Sequence, residues 1–352
     1  MYNIFKSNKN DFFSPAELSF SASNGLIHFT ILESDINRDY YNFIVQSFKK
    51  LKLRDDFAII GSIYFHSKGK KVILVNYEHN LVHPILGGEV AFKGNVPVID
   101  NSKLKYHVRI EKVRLFLKSD FYIEYSRPNI ENIKSCKKLS SFLTKIIYVP
   151  PLLCEYAPLS ENRNEYNVIT SFYILENEER PRRKVLFDQL KQNFPGYCNI
   201  PKVFGNDLYH NFYKKAKILI NIHQTDYHHT FEELRVLPAL LNGLIVIAED
   251  SPLKETIPYH EFIIWTRYED VIEVTKKVLT EYDFYYNKIH GNSNLQNVIN
   301  YMKTELSNEL ASKFELENPG HKNRFFFAEN YLTTLYIVKK IKLYFLQYFK
   351  TR

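Results

Sequence analysis

Side chains that could bind an anion or transfer a proton are concentrated in residues 217–255. His223 follows the apolar run at residues 218–222, and Glu249 closes a second apolar run at residues 244–248. Between the two runs lie an acidic pair, Glu232 and Glu233, and the guanidinium of Arg235. An arginine beside carboxylates and an imidazole could hold a diphosphate, bind sugar hydroxyls or move a proton. This segment is therefore the candidate functional site.

The elements around these side chains predict one βαβ unit. The two apolar runs are typical of buried strands, and residues 234–241 predict an amphipathic helix that ends at Asn242 and Gly243. Strand, helix and strand in this order indicate a parallel sheet, whose carboxyl edge binds ligands. Proline is tolerated only in a first helical turn, so Pro238 predicts a helix that begins near Val236 with Arg235 at its amino end.

The rest of the chain predicts an α/β fold with two parallel-sheet domains that face a cleft. We place the first domain at residues 1–158, the second at 159–320 and a helical segment at 321–352. Residues 1 to about 20 are predicted as a loose lead-in and residues 109–117 as a helix. The last long helix is predicted at residues 328–349, where aromatic residues alternate with lysines.

Composition limits the compartment and the partners. The net charge of +8 suggests an anionic partner, which is a nucleic acid, a membrane surface or a phosphorylated ligand. Three cysteines without CxxC spacing fit a reducing compartment. The first residues lack the apolar region of a signal peptide, and no apolar run approaches ~20 residues. We expect a cytoplasmic protein, with peripheral membrane contact as an open alternative.

Common cofactor and metal motifs are absent from the sequence. No GxGxxG follows a predicted strand, and there is neither a GxxxxGK[ST] nor a GxSxG motif. His223, His228 and His229 do not have metal-ligand spacing, and no Asp-x-Asp pair ends a strand. We therefore expect neither a bound metal nor a cofactor.

Each residue around the predicted helix has two interpretations. Arg235 beside free helix N–H groups could bind a diphosphate, or it could pair with Glu232 or Glu233. Those glutamates could accept hydrogen bonds from ribose hydroxyls, or they could cap the helix. His223 could bond a sugar or phosphate, or it could brace the following loop. Glu249 could bind sugar hydroxyls.

Two further groups could contribute from other strand ends. Arg182, Arg183 and Lys184 follow the first predicted strand of the second half, and Arg183 and Lys184 are our choices for a second diphosphate contact. A solvated basic turn is the alternative. On the first half, Glu78 or His79 could act as general base for an incoming hydroxyl, or both could only shape their loop.

Residues 168–279 resemble the donor-binding domain of "group 1" glycosyltransferases of the GT-B fold. The resemblance lies in YKKAKILINIH at residues 213–223, FEELRVLPALLNGLIVI at 231–247 and EDSPLKE at 249–255. It implies two Rossmann-like domains and adds Gly205, Ser251 and Glu255 to the donor site. Many such enzymes carry glutamates at the positions of Thr230 and Pro238, so Glu232 or Glu233 would replace the usual ribose contact.

The resemblance implies transfer of a sugar from a UDP- or GDP-linked donor to a hydroxyl of a glycan or glycoconjugate, without a metal. It also implies that a C-terminal helix, for which residues 328–349 are the candidate, crosses back onto the first domain. A catalytically inactive nucleotide-sugar-binding protein remains the alternative, because the usual glutamate pair is missing. A nucleic-acid-binding protein is suggested by charge alone, and we expect no nucleic acid partner because no reader motif is present.

Overall fold

The structure is a computed structural model of the chain. It describes residues 15–22, 25–32, 38–53, 57–60, 71–76, 80–82, 98–99, 107–110, 113–158, 163–172, 181–201, 208–223 and 229–314. The predictions for Glu78, His79, Gly205, His228 and residues 328–349 lie outside the described residues.

The described chain contains strands and helices in a mixed order, and it ends in three consecutive helices. The strands are β1 (Pro15–Ala22), β2 (Gly25–Leu32), β3 (Phe57–Ile60), β4 (Lys71–Val75), β5 (Leu81–Val82), β6 (Val98–Ile99), β7 (His107–Arg109), β8 (Phe121–Glu124), β9 (Ile146–Tyr148), β10 (Tyr166–Thr170), β11 (Tyr197–Asn199), β12 (Ala216–Asn221), β13 (Ile245–Glu249) and β14 (Ile264–Thr266). The α-helices are α1 (Arg38–Lys49), α2 (Val113–Lys118), α3 (Arg127–Ser135), α4 (Pro181–Asn193), α5 (Glu233–Leu241), α6 (Val271–Thr280), α7 (Tyr282–His290) and α8 (Asn294–Phe314). A π-helical turn lies at Tyr209–Tyr213, before β12.

The described strands form three sheets, and the two largest are mainly parallel, as predicted for an α/β fold of this class, while β5, β7 and β6 form a small antiparallel sheet. The first has the order β1-β2-β3-β4-β8-β9 and is parallel from β2 onward. The second has the order β11-β10-β12-β13-β14 and is parallel throughout. The order of the second sheet reverses beside β10, because β11 lies on one side and β12 on the other. Such a switch point leaves a crevice outside the carboxyl ends of the strands.

Helix α5 begins three residues earlier than predicted and contains Pro238 in its interior. Pro238 has no N–H to donate to the carbonyl four residues earlier, which normally destabilises a helix. Five apolar side chains of α5 are fully buried, namely Val236, Leu237, Ala239, Leu240 and Leu241. Burial of each such side chain contributes about 1.5–3 kcal/mol, which together exceeds the ~3 kcal/mol cost of the proline. Tertiary packing therefore sets the start of the helix.

The predicted end of α5 at Asn242 and Gly243 is confirmed. Gly243 has a φ of +78°, its N–H donates to the Leu240 carbonyl, and the N–H of Leu244 donates to the Ala239 carbonyl. These two hydrogen bonds define a Schellman motif, which requires a left-handed residue after the helix. The turn directs the chain straight into β13.

Two predictions in the first half are wrong. Residues 15–22 form β1 instead of a loose lead-in, and they pair antiparallel with β2. The sequence PAELSFSA alternates apolar and polar residues, which is the period of a strand. Residues 107–109 form β7 between β5 and β6, so the helix predicted at 109–117 is shortened to α2. The partners of β7 are distant in sequence, which local periodicity cannot show.

Helix α8 connects the cores of the two halves. Its first turns place Leu295, Ile299 and Met302 in the core around the second sheet. Its last turns place Leu306, Leu310 and Phe314 in the core around α1 and the first sheet. The Phe314 ring lies 4.7 Å from that of Phe48 and 5.2 Å from that of Phe57. No helix of the described residues is both long and apolar enough to cross a membrane.

Replacement of Gly243 should test the turn after α5. A Cβ at this position would lie 2.6 Å from the backbone of Pro158, so Gly243→Ala adds a steric clash to a left-handed conformation that costs about 1–2 kcal/mol. Gly196→Ala is the matched control, because its φ is +76° but its Cβ would meet nothing closer than 3.5 Å. Chemical denaturation should show a larger loss of unfolding free energy for Gly243→Ala. Equal losses would contradict the clash.

Candidate functional site

Two consecutive arginines at the start of α4 contact the end of β12 from different sides. Pro181 occupies the first position of α4, where its missing N–H costs nothing. Arg182 donates to the carbonyl of His223 at 3.5 Å, and Arg183 donates to the carbonyl of Ile222 at 3.0 Å. Residues 222 and 223 lie directly at the carboxyl edge of the second sheet. This edge is where the sequence predicts the site.

Arg183 and Arg235 converge on the carboxylate of Glu232, and we call these three residues the Glu232 cluster. Arg183 donates to one carboxylate oxygen at 2.9 Å, and Arg235 donates to the other. The side chains of Arg183, Glu232 and Arg235 are 3%, 12% and 27% exposed, so the cluster opens to solvent mainly at Arg235. Glu232 is the residue before the first turn of α5, so the cluster lies beside the amino end of this helix, where the N–H groups of Glu233 and Arg235 donate to the carbonyls of Phe231 and Glu232. The pairing of Arg235 with Glu232 is one of the two arrangements predicted from the sequence.

On the other side of β12, Arg182 binds Glu249 through two hydrogen bonds. The guanidinium donates to the two carboxylate oxygens at 2.7 and 3.1 Å, and the backbone N–H of His223 donates to Glu249 at 2.9 Å. Burial alone raises the pKa of Glu249, but the neighbouring His223 and Arg182 outweigh it and hold the pKa below its usual range. Glu249 is therefore an ionised partner of Arg182 at neutral pH.

His223 braces the loop after β13. Its Nε2 lies 3.0 Å from the carbonyl of Asp250, which accepts only, so Nε2 carries the proton. The imidazole is 4% exposed, and this burial lowers its pKa below the ordinary value. Its ring centroid lies 5.0 Å from that of His229. The described contacts of His223 match the bracing interpretation.

A pocket of about 310 Å³ opens at the carboxyl ends of β13 and β14, and we call it the Glu249 pocket. Its more buried wall is formed by Arg182, His229, Glu249 and Tyr268. Its exposed rim is formed by Asp250, Arg267 and Glu269. The Arg182 guanidinium lies 4.4 Å from the centroid of the Tyr268 ring, whose hydroxyl donates to the Arg182 carbonyl at 2.7 Å. No sequence pattern singles out His229, Arg267, Tyr268 or Glu269, because the fold alone brings these residues to Arg182 and Glu249.

The Glu233 carboxylate lies between the two halves of the protein. It accepts hydrogen bonds from the backbone N–H of Arg127 at 3.0 Å, the Tyr148 hydroxyl at 3.1 Å and the Tyr259 hydroxyl at 3.0 Å. Arg127 and Tyr148 belong to the first half and Tyr259 to the second. Burial raises the pKa of Glu233 to about 7, although these hydrogen bonds oppose the rise. Of the acidic pair, Glu232 contacts the arginines and Glu233 joins the halves.

A second buried carboxylate, Glu124, organises the carboxyl edge of the first sheet. It accepts hydrogen bonds from the amides of Asn76, Asn80 and Asn129 at 2.7, 3.0 and 3.0 Å. Asn129 accepts in turn from the Thr230 hydroxyl of the second half at 3.0 Å. Burial raises the pKa of Glu124 to about 8. The sequence shows these asparagines at strand ends but does not show that they share one carboxylate.

Three predicted donor residues lie apart from the Glu232 cluster. Lys184 is exposed and pairs with Asp188 one turn along α4. This position matches the solvated basic turn that was the alternative to a diphosphate contact. Ser251 is buried and donates to the His229 carbonyl at 2.9 Å. Glu255 is exposed in the 3-10 turn Lys254–Thr256. Among the described residues, no three His, Cys, Asp or Glu side chains are grouped to hold a metal.

Comparison with known proteins gives one curated relative and distant structural neighbours. No family model matches the chain. Over 174 residues, which are 47% of this chain, it is 28% identical to "Uncharacterized protein R358" of Acanthamoeba polyphaga mimivirus. The chain spans 56% of that protein's length. A solved structure titled "Crystal structure of GtfA/B complex", a glycosyltransferase complex, aligns with a TM-score of 0.37 and 12% identity over 86% of this chain and 60% of that one.

The buried Glu233 should make stability depend on pH. Its pKa rises from 4.5 in the unfolded chain to about 7 in the folded one, so the folded protein binds the proton more tightly. The resulting stabilisation is complete below pH 4.5 and is lost as the pH rises through 7. Relative to Glu233→Gln, which cannot titrate, the wild type should lose up to about 3 kcal/mol of unfolding free energy across this interval.

Denaturant titrations between pH 4 and 8 measure this difference. Glu281→Gln, at an exposed glutamate of the second half, is the matched control and should follow the wild type. Parallel pH profiles for the wild type and Glu233→Gln would show that the proton on Glu233 is not coupled to folding.

Proposed function

We propose that the protein is a glycosyltransferase that moves a sugar from a nucleotide diphosphate sugar to a hydroxyl of a glycan or glycoconjugate. The observation that carries this proposal is the Glu232 cluster. Two guanidinium groups meet at the start of α5, beside the switch point of a parallel sheet. Two of the three residues, Glu232 and Arg235, lie in a segment that carries the sequence resemblance to group 1 glycosyltransferases.

The cluster is suited to a diphosphate leaving group. Two arginines and one glutamate leave a net positive charge, and the first N–H groups of α5 add the partial positive charge of a helix terminus. When the bond between sugar and diphosphate breaks, negative charge develops on the phosphate oxygens. Fixed guanidinium groups stabilise that charge without reorganisation, and they do so without requiring a metal. The donor base is uracil or guanine in this proposal.

Arg235 is the residue of the cluster that can respond to a donor. Its side chain is more exposed than those of Arg183 and Glu232. A phosphate group offers a guanidinium the same bidentate geometry as a carboxylate. We propose that the diphosphate accepts hydrogen bonds from some of the guanidinium N–H groups of Arg235, while Arg183 stays bonded to Glu232 and Ile222. For deprotonation of the acceptor hydroxyl, Glu78 and His79 remain the proposed bases.

A nucleotide-sugar-binding protein without transferase activity is the second candidate. Arg182, Arg183 and Arg235 are each bonded to a carboxylate. A ligand must compete with those carboxylates, which reduces the charge that is available to stabilise a leaving group. Tight nucleotide binding with no turnover over a panel of donors and acceptors would favour this candidate.

A thermal-shift screen with Arg235→Ala tests the proposed donor contact. UDP or GDP and their sugars should raise the Tm of the wild type by an amount that grows with the ratio of free ligand to Kd, since they bind only the folded protein. Loss of a charged hydrogen bond of about 1.5–3 kcal/mol should weaken the nucleotide affinity of Arg235→Ala by about 10- to 100-fold and lower transfer from that donor.

Lys276→Ala is the matched control for this change. Lys276 is an exposed cation on α6 that pairs with Glu273 on the same helix, so its removal alters the net charge equally. Nucleotide binding should be unchanged in Lys276→Ala. Full affinity and full transfer in Arg235→Ala would show that the diphosphate binds elsewhere.

A further inference from the structure

The Glu249 pocket differs in charge from the Glu232 cluster, although consecutive arginines connect them. Its lining contains two arginines and three carboxylates, so its formal charge is negative. Both arginines are already bonded to carboxylates: Arg182 to Glu249, and Arg267 to Asp270 at 2.7 Å. A phosphate entering here would meet neutralised cations and unfavourable like charge. The pocket is therefore unsuited to the diphosphate.

The same lining suits an uncharged group that carries many hydroxyls. Carboxylates accept hydrogen bonds from O–H donors, and an ionised carboxylate has about four acceptor positions. Glu249 uses three of them for Arg182 and His223 within the protein. Asp250 and Glu269 are exposed on the rim, where one oxygen of Asp250 also pairs with Lys254 at 2.5 Å, and Tyr268 contributes an aromatic ring. The volume of about 310 Å³ is at the lower end of the range for small-molecule sites, which fits a single sugar ring.

We infer that the Glu249 pocket is a saccharide-binding subsite whose hydroxyl contacts are the carboxylates of Asp250, Glu249 and Glu269. The inference takes its choice of a saccharide partly from the proposed function, but it concerns a separate group of residues. The sugar can belong to the donor or to the acceptor. Both present the same hydroxyl chemistry to the pocket.

Binding of simple glycosides tests the subsite without any nucleotide. Isothermal titration with methyl glucoside, methyl galactoside and N-acetylglucosamine should show binding of at least one to the wild type. The double variant Asp250→Asn/Glu269→Gln removes two rim carboxylates from exposed positions. Loss of charged hydrogen bonds should weaken the affinity for that saccharide by about fivefold or more.

The matched control is Glu281→Gln/Asp283→Asn, which makes the same two chemical changes at exposed residues outside the pocket. This control should bind the saccharide like the wild type, and equal thermal unfolding of the variants shows that each is folded. The inference is overturned if no glycoside of the panel binds, or if the rim variant and the control bind equally well.

Inorganic pyrophosphate separates the subsite from the proposed donor site. Its affinity should fall in Arg235→Ala and stay unchanged in the rim variant, whereas saccharide affinity should show the opposite pattern. If pyrophosphate does not bind but the glycoside result holds, the donor site fails and the saccharide subsite stands. A rim variant that loses pyrophosphate and keeps the glycoside overturns the subsite.

Nucleotide sugars then identify the source of the saccharide. If UDP-glucose displaces the bound glycoside while UDP alone does not, the pocket holds the sugar of the donor. If glycoside and UDP-glucose bind together, the pocket holds the acceptor. Both outcomes support a saccharide subsite, and displacement by UDP alone contradicts it because the pocket then holds the nucleotide and not the saccharide.

Discussion

The arrangement of the site depends on the buried carboxylate of Glu233. It is bonded to a backbone N–H and a hydroxyl of the first half and to a hydroxyl of the second. Glu233 is the first residue of α5, so these bonds hold the amino end of the helix and fix how it is rotated about its axis. With Glu233 directed toward the first half, the preceding Glu232 reaches Arg183 and Arg235. One buried carboxylate therefore sets both the contact between the halves and the geometry of the arginines.

The hydrogen bonds between the two halves fix their relative orientation more than they strengthen their association. The Glu233 bonds and the contact of Asn129 with Thr230 all require matching donors and acceptors. The backbone of His229 adds a further bond to the Leu81 carbonyl at 3.2 Å. Misalignment would leave buried polar groups without partners, which costs more than a shifted apolar contact. Apolar packing between the halves is supplied separately by α8, whose two ends lie in different cores.

The sequence predicts the elements of the second sheet better than the partners of their side chains. Continuous apolar runs identify β12 and β13, and Asn242 with Gly243 identifies the end of α5. The start of α5 is missed because the burial of its apolar side chains outweighs the cost of Pro238. Glu232 and Glu233 are identical neighbours in the sequence, but Glu232 precedes α5 and Glu233 begins it, so their side chains leave the backbone in different directions. Partners such as Tyr148 lie far away in sequence, so no local pattern tells which of the two faces the arginines.

The rotation of about 100° per residue in a helix explains how α4 serves two regions of different charge. Arg182 and Arg183 are neighbours in the first turn of a helix, so their side chains diverge around the end of β12. Arg182 belongs to the Glu249 pocket, where carboxylates outnumber guanidinium groups. Arg183 belongs to the Glu232 cluster, where guanidinium groups outnumber carboxylates. A nucleotide sugar has the same polarity, with anionic phosphates joined to a neutral, hydroxyl-rich ring. Because the two arginines are fixed to residues 222 and 223, a displacement of α4 would change both regions together, and neither could be tuned without the other.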